Sequence, residues 1–161
     1  MVFVALGTHG RPIDRAVDWI VSAIELGLIS GPVTVQCAIR GSRSDVQWKP
    51  IIPEDQFSEL MLAADLLITH GGPGTILRAL ELGRVPLVVP RERRYSEHVD
   101  DHQVAFARVL GKFRIPVART YKEFLAALHQ AHDADVAQIL ESVAVGRGPL
   151  LELLSRVRER V

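Results

Sequence analysis

Apolar residues along this chain come in two rhythms, short unbroken runs and longer stretches spaced by three or four, and the two alternate. Val2, Phe3, Val4, Ala5 and Leu6 form the first run, closed by Gly7, as a parallel strand buried on both faces requires. Beyond Pro12, residues Ile13, Val17, Ile20, Ile24 and Leu28 recur at helical spacing until Ser30, Gly31 and Pro32 end the pattern. A second strand is expected at 33–38 and a third at 47–52, with Pro50 and Pro53 crowding its end. A helix follows at 55–64, with Phe57, Leu60, Met61 and Ala64 on one face. A strand at 66–68 runs straight into a glycine loop at 69–75, then a helix at 76–82 closed by Gly83. The strand at 85–89 ends at Pro90, and a polar loop at 91–101 leads to a helix at 102–110. A short strand at 115–118 and helices at 121–131, 135–145 and from 149 onward complete the pattern. Strands alternating with helices predict an α/β fold, a Rossmann-like parallel sheet with helices on both faces, as a single domain over residues 1–161.

Composition adds exclusions. Nineteen basic and nineteen acidic residues cancel, so bulk charge gives no reason to expect a nucleic-acid partner. Cys37 is the single cysteine, which leaves no internal disulfide and no cysteine-based metal cluster and fits a reducing compartment. The apolar start is short, lacks a basic leader and ends in glycine, so it reads as a strand rather than a signal peptide. No apolar run approaches the ~20 residues of a membrane span. A soluble, cytoplasmic protein is expected.

Ligands in open α/β sheets bind outside the carboxyl ends of the strands. Three segments occupy such ends: 7–11, 69–75 and 91–103. In the middle one, glycines at 71, 72 and 74 let backbone N–H groups approach a bulky anion, and Thr75 offers a cap and a hydroxyl to the helix that follows. A tight turn needing glycine only for its backbone angles is the simpler alternative. The segment has neither the lysine of a P-loop nor the G-x-G-x-x-G spacing of a dinucleotide fold. His98, Asp100, Asp101 and His102 offer metal-ligating types without the H-E-x-x-H pattern, and a polar loop reading a sugar or phosphate is the expectation preferred over a metal site. Arg91, directly after a strand, is within reach of a phosphate. His9 is read as a loop hydrogen-bonder at least as readily as a catalytic base, and His129 and His132 as solvated positions.

Taken together, these segments resemble the C-terminal, donor-binding domain of glycosyltransferase family 28, half of the two-domain GT-B architecture. The resemblance rests on Gly7, Thr8 and His9 with Pro12, Ile13, Asp14 and Arg15, then on Ala64 and Asp65 leading through His70, Gly71, Gly72, Pro73 and Gly74 to Thr75. Pro90, Arg91 and the run from Glu97 and His98 through Asp100, Asp101 and His102 to Gln103 complete it. It is nearest to the subunits in which this half is a separate polypeptide. These are the bacterial capsule and exopolysaccharide glycosyltransferases and the eukaryotic two-part enzyme that acts on dolichol-linked N-acetylglucosamine.

The resemblance implies a UDP-sugar as donor substrate, held by Gly7, Thr8, His9, His70, Gly71, Gly72, Gly74 and Thr75 around the diphosphate, with Arg91 as a further cation. It puts Glu97, His98, His102 and Gln103 near the diphosphate and the sugar, and the uracil near Ile51, Ile52 and Pro53. One position departs: relatives carry a ribose-binding glutamate where this chain has Arg78, with Glu81 one turn on. It implies an inverting transfer without a metal or other cofactor, the catalytic base coming from elsewhere. The expected partner is a membrane-associated, acceptor-binding glycosyltransferase subunit, recruiting this chain to the cytoplasmic membrane face. An apolar stripe of Leu150, Leu153, Leu154, Val157 and Val161 packs by default on its own domain, and the resemblance makes the helix at about 149–161 a candidate docking element as well. A non-catalytic nucleotide-sugar-binding subunit and a different sugar-nucleotide enzyme, such as an epimerase, are the other classes.

Overall fold

Because the strand runs alternate little in polarity, both faces of the sheet need a covering layer, and the chain supplies one to each. In the computed structural model, which describes residues 1–145 apart from 9, 39, 40, 42, 134 and 135, five parallel strands form one sheet. The strands are β1 (Val2–Ala5), β2 (Val33–Gln36), β3 (Val46–Lys49), β4 (Leu66–His70) and β5 (Leu87–Val89), in the order β3-β2-β1-β4-β5. The central register pairs Val2 with Val33 on one side and Leu66 on the other. The Rossmann-like fold read from the periodicity is the fold observed.

Alternate residues of each strand serve different layers. Val2, Val4, Leu66, Ile68, Leu87 and Val89 pack with Ala16, Ile20 and Ala23 of α1 (Asp14–Glu25) and with Phe124, Ala127 and Leu128 of α5 (Tyr121–Asp133). On the opposite face, Phe3, Ala5 and Leu67 pack with Met61 of α2 (Glu54–Ala63) and Ala79 of α3 (Pro73–Glu81). Val88 on that face meets Ile76 of α3, Phe106 and Leu110 of α4 (His102–Lys112), and Ile139 of α6 (Val136–Val145). Phe3 and Phe57 meet edge to face with ring centroids 5.3 Å apart.

Two boundaries differ at the carboxyl end of the sheet. β4 runs on through Thr69 and His70, because Thr69 pairs with Ala5 and Val88, and His70 with Val89. Helix α3 begins at Pro73, whose fixed φ and missing N–H suit the first helical position. Gly72 is therefore the N-cap, and Thr75 stands in the first turn instead of capping it. The short strand expected at 115–118 is reduced to a bridge between Val88 and Val117, and the polar loop after β5 contains a 3-10 turn at Arg93–Tyr95. The helix from 149 onward lies outside the described residues.

Phe3 is wholly buried at the sheet centre. Phe3→Ala should lower unfolding free energy by about 3–5 kcal/mol in urea titrations, and Phe3→Leu by far less. A loss no greater than that of an exposed substitution would mean β1 is not the packed centre of the sheet.

Candidate functional site

The strand order reverses direction between β1 and β4, which are adjacent. That is where an open α/β sheet leaves a crevice at its carboxyl end, because the connections from the two strands depart to opposite faces. Its first two walls begin at Leu6 and at His70.

The first wall is fixed from below. Gly7 has φ of +84°, a conformation that side-chain-bearing residues rarely adopt, and its N–H donates to Gln36 Oε1 at 3.1 Å. Thr8 is exposed beside it, and His9 lies outside the described residues. The second wall begins with His70 at the end of β4. Its Nδ1 is 3.2 Å from the Ala5 carbonyl oxygen, so the ring is tied to the neighbouring strand. A Cβ on Gly72 would overlap His70 Nε2, and one on Gly7 would lie 3.2 Å from it, so the imidazole sits where both glycine segments close in. Gly71 is buried against Gln103 and Pro90, while Gly74 faces open space. The N–H groups of Gly74 and Thr75, in the first turn of α3, have no acceptor within the helix and point out of its positive end. Thr69 is fully buried, and its hydroxyl has no hydrogen-bond partner among the described residues.

A third wall comes from the segment after β5, and here buried charge organises the chain. Arg91 is 2% exposed. Its guanidinium donates to the carbonyls of Leu6 (2.7 Å), Glu97 (3.2 Å) and Arg11, and its own N–H donates to Gln103 Oε1 at 3.0 Å. Burial pushes the Arg91 pKa down and the nearby Glu97 carboxylate works against that shift. Glu97 is itself 3% exposed and takes Arg15 as a two-point partner, Nε to Oε1 at 2.9 Å and Nη2 to Oε2 at 3.1 Å. Glu97 also accepts the Glu92 N–H at 2.9 Å. Arg15 continues to the Pro90 carbonyl at 2.5 Å. Glu92, buried to 1% exposure, is paired with Arg119 through both oxygens and with Arg94. Burial alone would raise the Glu92 pKa, but the Arg119 hydrogen bonds and the surrounding arginines bring it below the usual carboxylate range.

Of the residues singled out from sequence, Gly7, His70, Gly71 and Gly72 are therefore brought together at the β1–β4 crevice. Arg91, Glu97 and Gln103 reach the same place but are engaged with backbone and with one another. Gln36, Glu92 and Arg119 carry no signal in the sequence, because pairings such as Glu92 with Arg119 leave no local spacing to find. Arg15 was visible only as part of a motif. Arg78 stands on the outer side of α3, with Ser58 as hydrogen-bond acceptor and Glu81 3.8 Å away.

His98 and His102 meet edge to face with centroids 4.4 Å apart, and Asp100 lies between them. One ligand atom from each of the three falls within 4.8 Å of the others, a nitrogen-oxygen set that zinc or manganese accepts. Two facts favour a hydrogen-bonded turn over a metal site. Asp100 already accepts the His102 N–H at 3.1 Å together with His102 Nδ1, and the positive end of α4 opposes a cation. The His102 backbone N–H, the largest cause, holds the Asp100 carboxyl below its ordinary range.

The His70 imidazole is held down to about 4, first by desolvation, then by the Arg91 charge and by His98, against the Ala5 hydrogen bond. It is therefore neutral near pH 7. Among the described residues no helix is long and apolar enough to cross a membrane.

The profile of the glycosyltransferase family 28 C-terminal domain matches residues 1–139. A solved spinosyn forosaminyltransferase, SpnP, superposes with a TM-score of 0.57 at 17% sequence identity, a likeness of fold. The match covers 98% of this chain and 42% of that one, so the chain spans less than half the length of that structure.

Arg15→Ala or Glu97→Ala strands a buried charge, and each should cost about 3–5 kcal/mol. A double-mutant cycle should return a coupling well above the 0–1 kcal/mol typical of surface pairs; additive losses would show that the pair is not coupled. A second outcome concerns acid. The unfolded chain protonates His70 near 6.5 and the folded chain only near 4, so stability is lost as pH falls between these values. His70→Asn should lose less stability than wild type across that window in thermal melts.

Proposed function

The chain belongs to glycosyltransferase family 28, of which it carries the C-terminal domain, and on that footing we propose that it is the donor-binding subunit of an inverting UDP-sugar glycosyltransferase. The observation that carries the reading is the juxtaposition, at the β1–β4 switch point, of the Gly7 turn with the amino end of α3. Two directed N–H groups and a helix dipole there suit the diphosphate of a nucleotide sugar.

In the proposed reaction an acceptor hydroxyl attacks the anomeric carbon, and the bond from that carbon to the diphosphate breaks with both electrons leaving on oxygen. The Gly74 and Thr75 amides stabilise that charge as preorganised donors, with no metal required. Arg91 acts indirectly in this scheme, by holding the Leu6 and Arg11 carbonyls so that the Gly7 turn keeps its shape. The transferred sugar lies toward His98, His102 and Gln103. The proton of the acceptor hydroxyl goes to a base on a second, acceptor-binding subunit, and no residue of this chain is given that role. The acceptor is a lipid-linked sugar or a growing polysaccharide, and a membrane-associated partner brings this chain to the cytoplasmic membrane face.

Calorimetry should detect UDP and UDP-sugar binding to the isolated chain, insensitive to EDTA and weakened at least about tenfold by Gly72→Ala, whose Cβ drives His70 aside. Failure of every uridine nucleotide to bind would sink the donor assignment. Loss of binding in EDTA would instead give the His98–Asp100–His102 cluster a cation. Labelled sugar should reach acceptor only when this chain and an acceptor-binding subunit are mixed. Binding without transfer in that mixture would indicate a non-catalytic nucleotide-sugar-binding subunit.

A further inference from the structure

The protonation of His70 when a diphosphate arrives is decided by its two nitrogens. Nδ1 faces the Ala5 carbonyl oxygen at 3.2 Å, an atom that only accepts, so Nδ1 carries the proton of the neutral ring. Nε2 is then a bare lone pair, and it is the nitrogen toward which Gly7 and Gly72 close in. The groups facing the ring are the Ala5 carbonyl from β1, Gly7 from the first wall, Gly72 at the start of α3, and Arg91 and His98 from the segment after β5. None of these is an anion. With the surrounding desolvation, Arg91 and His98 keep the ring uncharged at neutral pH.

Phosphate oxygens accept hydrogen bonds and donate none. A diphosphate seated between the Gly7 turn and the amino end of α3 brings an acceptor to a nitrogen with no proton to give, and that contact repels until a proton is added. We propose that His70 takes up one proton from solvent when the donor diphosphate binds, becoming an imidazolium whose Nε2–H donates to a phosphate oxygen while Nδ1–H stays on the Ala5 carbonyl. The inference rests on the nucleotide-sugar reading above and concerns the same crevice. The only bond made is N–H, and the added charge offsets part of the diphosphate's. An opposite charge at close range raises a pKa by about 1–3 units. From a starting value of about 4, the ligand-bound ring then titrates between roughly 5 and 7. Donor affinity is at its low plateau above that bound value and climbs about tenfold per pH unit as pH falls from it toward the ligand-free value.

UDP-glucose is the suitable probe, because its diphosphate is esterified at both ends and does not titrate in this range, whereas UDP itself does. Calorimetry at about pH 6, in two buffers of different ionisation enthalpy, counts the protons taken up on binding. The comparison is wild type against His70→Asn, whose amide keeps a donor for the Ala5 carbonyl; His98 and His102 are present in both, so the difference belongs to His70. The expected result is net proton uptake by the wild type that the variant lacks, with affinity rising as pH falls only in the wild type. Nitrogen-15 spectra of the wild-type imidazoles, with and without UDP-glucose, read the same event even where the variant does not fold. UDP-glucose binding with equal proton counts in the two proteins, or a His70 spectrum that stays neutral in the complex, overturns the proposal while leaving the donor site intact. Absence of binding by UDP-glucose and by UDP alike at every pH overturns the donor reading and this proposal together.

Discussion

Two guanidinium groups at the carboxyl end of the sheet, Arg91 fully buried and Arg15 largely so, set the terms for everything around them. A charge taken out of water must be met by hydrogen bonds and by an opposite charge, or the fold does not tolerate it. Arg91 answers with backbone carbonyls from two different loops, and Arg15 with the Glu97 carboxylate and the Pro90 carbonyl. Satisfying those groups brings α1, the turn after β1 and the long segment after β5 to one place. The crevice is as much a product of charge balance as of strand order.

Against that fixed frame, the segment after β4 is placed by shape. Its contacts with the other walls are the His70 ring on the Ala5 carbonyl and the close approach of Gly71 to Gln103 and Pro90. Pro73 then starts α3 immediately, so the helix end arrives at the crevice with no intervening loop. Backbone amides, whose positions are set by helix geometry, do the presenting, and long flexible side chains are not required for it.

The sheet was legible because its apolar runs are continuous and its helices periodic, and those patterns have a single physical cause in burial. The crevice was legible in part, since glycines after strands signal close approach of something. What the residues concealed was direction. Arg91 reads from sequence as a cation near a phosphate, yet its guanidinium turns inward onto carbonyls of Leu6, Glu97 and Arg11. Thr75 reads as a cap, yet Pro73 starts the helix early enough to put it in the first turn. Glu92 and Arg119 meet across the fold although they stand 27 positions apart, so no local spacing announces the pair. Patterns report which face of an element is apolar; they carry no information on where a long polar side chain ends.

The Arg91 guanidinium spans two walls at once, and this has a consequence for motion. Carbonyls at Leu6 and Glu97 belong to segments far apart in sequence, but neither can swing outward without abandoning the same cation. The pocket mouth is thereby clamped. A molecule entering between them meets a preset mould, and any closing movement over it has to come from outside these two walls.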